Sequence, residues 1–135
     1  TRKIKRNDYI YVTGGNTFFL LQELKRTGAD MLIKEQIRSG KLYIGESAGA
    51  MVVSPNIEYV KAMDSCKKAP ALRETTALSI VKFYPVPHHN CFPFKKAVEK
   101  IITEYSSKLK LVPINNSQAI LMRGNKLLID TQLCA

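Results

Sequence analysis

The sequence has no tryptophan, three cysteines and two histidines in 135 residues, and its 21 Lys and Arg outnumber 11 Asp and Glu. Cys66, Cys91 and Cys134 are odd in number and lack C-x-x-C spacing, which argues against a disulfide framework or a zinc site. They read as reduced thiols. No apolar run approaches the ~20 residues of a membrane-spanning helix. The basic opening TRKIKRNDYIYV has too short an apolar part, and no small-residue cleavage site, for a secretory signal. A cytoplasmic protein is expected. The formal charge of +10 would suit a polyanion. However, the basic pairs Arg2-Lys3, Lys25-Arg26, Lys67-Lys68 and Lys95-Lys96 are scattered, with no aromatic-rich motif between them. Solvated surface charge is therefore the reading, and a nucleic-acid partner is not expected.

What is present is an alternation of short β-rich runs with helical segments, without internal repeat or linker, and one α/β domain over residues 1–135 is expected. Tyr9 to Thr13 is aromatic and β-branched and ends at Gly14-Gly15, the pattern of a buried strand entering a tight loop. Asn16 or Thr17 then caps a helix from about Phe18 to Thr27, stopped by Gly28. A second helix runs from Asp30 as N-cap to Ser39 and stops at Gly40. Lys41 to Gly45 is the next strand, helical character resumes after Ser47, and residues 56–77 read mostly as loop. Ile80 to Pro87 reads as a strand. Phe94, Ala97, Val98, Ile101, Ile102 and Tyr105 make one apolar helix face. Gly124-Asn125 between two β-rich runs marks an antiparallel hairpin.

Strands joined through helices are usually parallel and end on one edge, where ligands of open α/β sheets bind. Three features then converge there: the Gly14-Gly15 loop, the turn at Ser47, and His88. Gly45-x-Ser47-x-Gly49 is the nucleophile-elbow pattern, in which a sharp strand-to-helix turn exposes a serine hydroxyl. A helix-capping serine gives the same letters. If Ser47 is a nucleophile, the Ala48 amide at the helix start and the Gly15 amide are candidate donors to an oxyanion. The bases on offer are His88 and His89, with His88 favoured by its place at a strand end. The chain order Ser, Asp/Glu, His leaves Glu58, Asp64 and Glu74 to orient the imidazole, and Asp64, in a loop able to reach the edge, is preferred. Gly14, Asn16, Thr17, Glu46 and His89 flank these positions as expected substrate contacts.

The segments YIYVTGGNTFFLLQELKRTGAD, GKLYIGESAGA, SPNIEYVKAMDS and FYPVPHHN, with the ending LLIDTQ, follow in order a pattern that resembles the S51 serine peptidases. That family includes the aspartyl dipeptidase peptidase E and the more distant cyanophycinases. The resemblance covers most of the chain. It implies a three-layer fold of the class I glutamine amidotransferase-like, flavodoxin-like kind, with a mostly parallel sheet and helices on both faces. It also implies Ser47 as nucleophile, His88 as base, Asp64 as the acidic member, and Gly15 with Ala48 as the oxyanion hole. The implied reaction is hydrolysis of dipeptides or short peptides after an N-terminal aspartate, with no metal and no organic cofactor. A cyanophycinase-like β-aspartyl hydrolase and an inactive binding module are the alternatives.

Two departures stand out. Family members carry further strands and helices before the segment matching Tyr9, so this chain resembles an amino-terminally shortened form. A chain lacking that part exposes strand edges and apolar faces that need cover, which raises a partner chain or a homo-oligomer. In addition, His89 stands where relatives commonly have an aromatic, and the following stretch lacks the arginine expected to read an acidic side chain. Lys95 or Lys96 would have to serve, as point charges with less directional grip on a carboxylate.

Overall fold

The computed structural model describes residues 2–131; Thr1, Gln132 and Cys134 lie outside the described residues. A short helix α1 (Arg2–Arg6) precedes strand β1 (Tyr9–Val12). The Lys41 ammonium donates to the carbonyls of Ile4 (2.6 Å) and Lys5 (3.1 Å), close to the end of α1, where free carbonyls attract a cation. Helix α2 (Thr17–Thr27) starts at Asn16, whose Oδ1 accepts from the Phe19 amide at 3.0 Å. Gly28, at φ 75°, ends α2 and at once starts α3 (Ala29–Arg38). Asp30 therefore lies in the first turn of α3 rather than capping it, because the left-handed glycine reverses the chain without intervening residues.

Strand β2 (Leu42–Gly45) leads into α4 (Ala48–Met51), a single turn. The segment expected to be loop holds two 3-10 turns, Glu58–Ala62 and Cys66–Lys68. Strand β3 is confined to Tyr84–Val86, shorter than expected, because the Ile80 and Val81 amides donate to the Val53 carbonyl instead of joining a ladder. Helix α5 (Lys95–Tyr105) buries Val98 and Ile101. Strands β4 (Leu111–Pro113), β5 (Ala119–Arg123) and β6 (Lys126–Asp130) close the described chain. None of the described helices is long and apolar enough to cross a membrane.

Strand β1 pairs with β2 in parallel, Tyr9 facing Leu42 and Val12 facing Gly45, and β3 pairs with β4 in parallel, Tyr84 facing Leu111. The Gly124-Asn125 turn joins β5 to β6 as an antiparallel hairpin, as the sequence pattern implied. The parallel pairs bring the ends of β1 and β2 to one edge and those of β3 and β4 to one edge. The core gathers Phe18 and Leu21 of α2, Ile33 of α3, Met51 and Val52 at α4, Tyr59, Val86, and Val98 and Ile101 of α5. On β1 and β2 the residues alternate. Ile10, Val12 and Tyr43 turn towards this core, whereas Tyr9, Tyr11, Leu42 and Ile44 share the opposite face and stand 57%, 52%, 61% and 42% exposed. That face is an apolar surface with no cover among the described residues.

Candidate active site

The turn from β2 into α4 is shaped by two close approaches. A Cβ at Gly45 would lie 2.4 Å from the Gly49 carbonyl oxygen, and one at Gly49 would lie 2.0 Å from the Val12 carbonyl oxygen. That carbonyl already accepts the Glu46 amide at 2.9 Å, which pins the turn to the end of β1. Between the glycines Ser47 takes φ 54° and ψ −111°, a strained backbone for a residue with a side chain. A strained serine at a sharp strand-to-helix turn is the backbone geometry that the nucleophile-elbow pattern describes.

The half-buried Ser47 hydroxyl lies 3.0 Å from His88 Nε2. The other ring nitrogen, Nδ1, lies 2.8 Å from Asn116 Oδ1. An amide oxygen only accepts, so Nδ1 carries the proton and donates it, and Nε2 is left free to accept from the serine. The network thus selects the tautomer a general base needs. His88 is at φ 67°, and its loop is stitched to the end of β4: the His89 amide donates to the Ile114 carbonyl and the Ile114 amide to the Val86 carbonyl, both at 2.9 Å. Asn116 sits in a turn closed by Asn115 N–H to Gln118 Oε1 (2.8 Å) and Ser117 N–H to Asn115 Oδ1 (2.8 Å). Its own amide donates to Cys91 Sγ at 3.4 Å. Phe94, at the start of α5, stacks on the imidazole with ring centroids 4.8 Å apart and planes 26° apart.

The structure brings Ser47 and His88 together and leaves Asp64 elsewhere. The Asp64 carboxylate accepts from the Thr17 amide (2.9 Å) and the Thr17 hydroxyl (2.6 Å), where free N–H groups at the start of α2 favour an anion. Glu58 pairs with Lys61 and Glu74 with Lys25. None of the three carboxylates between Ser47 and His88 holds the imidazole in this geometry; Asn116 does. The signal for it was available: β4 runs parallel to β3, so residues just after each share an edge, but a search limited to acids upstream of His88 passes over an amide downstream.

Gly14 packs against the serine, since a Cβ there would meet Ser47 Cβ at 3.3 Å, and Gly15 follows at φ 120° with open space beside it. Neither the Gly15 nor the Ala48 amide donates to an acceptor among the described residues. Asn16 caps α2 and its Nδ2 donates to the Ser65 carbonyl at 3.0 Å. Thr17 is fully buried against Asp64, so it is removed from any substrate. The exposed Glu46 carboxylate accepts a hydrogen bond from the Tyr11 hydroxyl, which raises the Tyr11 phenol above its ordinary value. His89 is half-buried, and Lys95 and Lys96 are exposed in the first turn of α5. Cys66 and Cys91 are free thiols, and no group of three or more His, Cys, Asp and Glu suited to a metal ion occurs among the described residues.

Comparison with known proteins bears on the same features. An uncharacterized peptidase of Listeria monocytogenes is 59% identical over 128 residues, which is 95% of this chain and 62% of that protein. One of Pasteurella multocida is 58% identical over 129 residues, again 62% of the relative. A peptidase E of Shewanella sp. strain ANA-3 is 41% identical over 87 residues, 64% of this chain and 35% of that protein. A 1.5 Å crystal structure of a Listeria monocytogenes EGD-e protein, described as a peptidase E candidate, superposes with a TM-score of 0.91 at 56% identity. It covers 96% of this chain and 62% of its own, and it carries the fold expected from the sequence. The chain thus spans about 62% of the length of these nearer relatives. Residues 1–129 match the model of peptidase family S51, and the chain belongs to that family.

Proposed function

We propose that Ser47, His88 and Asn116 form the centre of a serine hydrolase acting on short peptides. The observation that carries this reading is the hydrogen-bonded series from Ser47 Oγ through both nitrogens of His88 to Asn116 Oδ1, set on a strained elbow. In the reaction His88 Nε2 takes the serine proton as Oγ attacks the peptide carbonyl. The tetrahedral oxyanion is held by the Gly15 and Ala48 amides, and the imidazolium then protonates the leaving amine. Water, activated by the same imidazole, releases the acyl group. Asn116 fixes the tautomer and the ring orientation but brings no negative charge to the imidazolium.

Peptides with an N-terminal aspartate are the first substrates to assign, on the strength of the family and of the relatives named peptidase E. The exposed Lys95 and Lys96, directly after the Phe94 that contacts His88, are the cations available to the acidic side chain. The test is hydrolysis of aspartyl-X dipeptides and an aspartyl anilide, alongside covalent labelling by a fluorophosphonate. Ser47→Ala is expected to abolish both. Hydrolysis that survives this substitution, or a wild-type chain that is never labelled, would sink the reading.

A further inference from the structure

We infer that Phe94 is a positioning residue whose aromatic face stabilises the charged form of His88 during the reaction, in the role that a carboxylate fills in a Ser-His-Asp site. The inference rests on the proposed serine chemistry and adds to it. When Ser47 attacks, His88 becomes an imidazolium. Its Nδ1 partner is the amide oxygen of Asn116, a dipole without net charge. The side-chain contacts of His88 among the described residues are Ser47, Asn116 and Phe94, none of them charged. The charged or titratable side chains on the adjoining segments include Glu46 in the β2–α4 turn, His89 and Cys91 in the loop of His88 itself, and Lys95 and Lys96 in the first turn of α5. Glu46 is engaged by Tyr11, Cys91 by the His89 carbonyl and the Asn116 amide, and the two lysines carry the wrong sign.

What does lie against the imidazole is the ring of Phe94, stacked at 4.8 Å. An aromatic face is the negative end of a quadrupole and attracts a cation within about 6 Å of its centroid. Phe94 is also fixed in place. Its amide donates to the Cys91 carbonyl at 2.9 Å, its carbonyl receives the Val98 amide at 2.9 Å, and its side chain packs on the core. The ring therefore keeps Nε2 aimed at Ser47 and favours the protonated imidazole over the neutral one.

A graded series of fluorinated phenylalanines at position 94 tests this, because fluorine drains the quadrupole while barely changing shape. The readout is the second-order rate of Ser47 labelling by a fluorophosphonate, which needs no knowledge of the natural substrate. The rate is expected to fall stepwise from phenylalanine through mono-, di- and trifluorophenylalanine, by roughly three- to tenfold in total for a contact of this kind. In an Asn116→Asp background, where a carboxylate supplies the missing charge, the same series is expected to flatten. A rate independent of fluorination in the Asn116 chain overturns the assignment while leaving the hydrolase reading intact. Equal slopes in the two backgrounds also overturn it. A parent chain that is not labelled at Ser47 removes both together.

Discussion

Replacing Gly49 by alanine tests the construction of the elbow directly. The new methyl group would be placed 2.0 Å from the Val12 carbonyl oxygen and 2.7 Å from its carbon, both fixed backbone atoms in β1. No side chain can swing away, so α4 and the turn before it must back off the strand by roughly 1 Å. Overpacking of this sort costs about 1–3 kcal/mol. At roughly 4 °C per kcal/mol for a chain of this size, melting falls by about 4–12 °C. The retreat also carries Ser47 away from His88, now 3.0 Å apart, and a displacement of about 1 Å in a catalytic contact is worth up to about 100-fold in rate. Thermal unfolding followed by circular dichroism reads the first effect and fluorophosphonate labelling the second. A Gly49→Ala chain that melts within about 2 °C of the parent and labels at an unchanged rate would refute the reasoning.

Asn116→Ala and Asp64→Ala should separate two roles that the sequence order alone confuses. Losing the Asn116 amide is expected to slow Ser47 labelling by roughly tenfold or more with little change in melting, because the imidazole loses its orienting acceptor. Losing the Asp64 carboxylate removes the two hydrogen bonds at the start of α2, costing about 1–2 kcal/mol of stability, and is expected to leave labelling nearly unchanged. The opposite pattern, measured by the same two assays, would return Asp64 to the imidazole. Alkaline pH supplies a further test: burial raises the phenols of Tyr43 and Tyr59 well above their ordinary value of 10.0. The folded chain keeps these protons while the unfolded chain releases them. Stability is therefore complete below about pH 10 and falls above it by up to about 1.4 kcal/mol per pH unit for each phenol. Melting curves between neutral pH and pH 11 should show the decline, and Tyr59→Phe should reduce it; equal slopes would count against the assignment to Tyr59.

Much of this arrangement was legible because its signals are local. Gly28, Gly124-Asn125 and the Gly45-x-Ser47-x-Gly49 motif each report a backbone conformation that few residues tolerate, and each appears where the letters put it. The apolar face of α5 followed from its spacing, with Val98 and Ile101 buried. What escaped was set by tertiary contacts. The stretch from Ile80 to Phe83 has the composition of a strand, yet the Val53 carbonyl takes the Ile80 and Val81 amides and β3 starts only at Tyr84. Asp64 looked like a partner for histidine because of its place between Ser47 and His88. Which carboxylate reaches an imidazole depends on the path of the loop, and that path ends at Thr17. Asn116 was the converse case, a neutral residue in a turn, made significant by the parallel pairing of β3 with β4.

The open face of Tyr9, Tyr11, Leu42 and Ile44 sits on a chain with a formal charge of +10, and the two have opposite colloidal effects. In dilute buffer the repulsion between like-charged molecules extends over tens of ångströms and keeps the apolar faces apart. Near 1 M salt the screening length shrinks to about 3 Å, and contact between those faces is no longer opposed. Self-association of this chain should therefore strengthen as salt is added, the reverse of an assembly held by ion pairs, and light scattering across a salt series would read the sign.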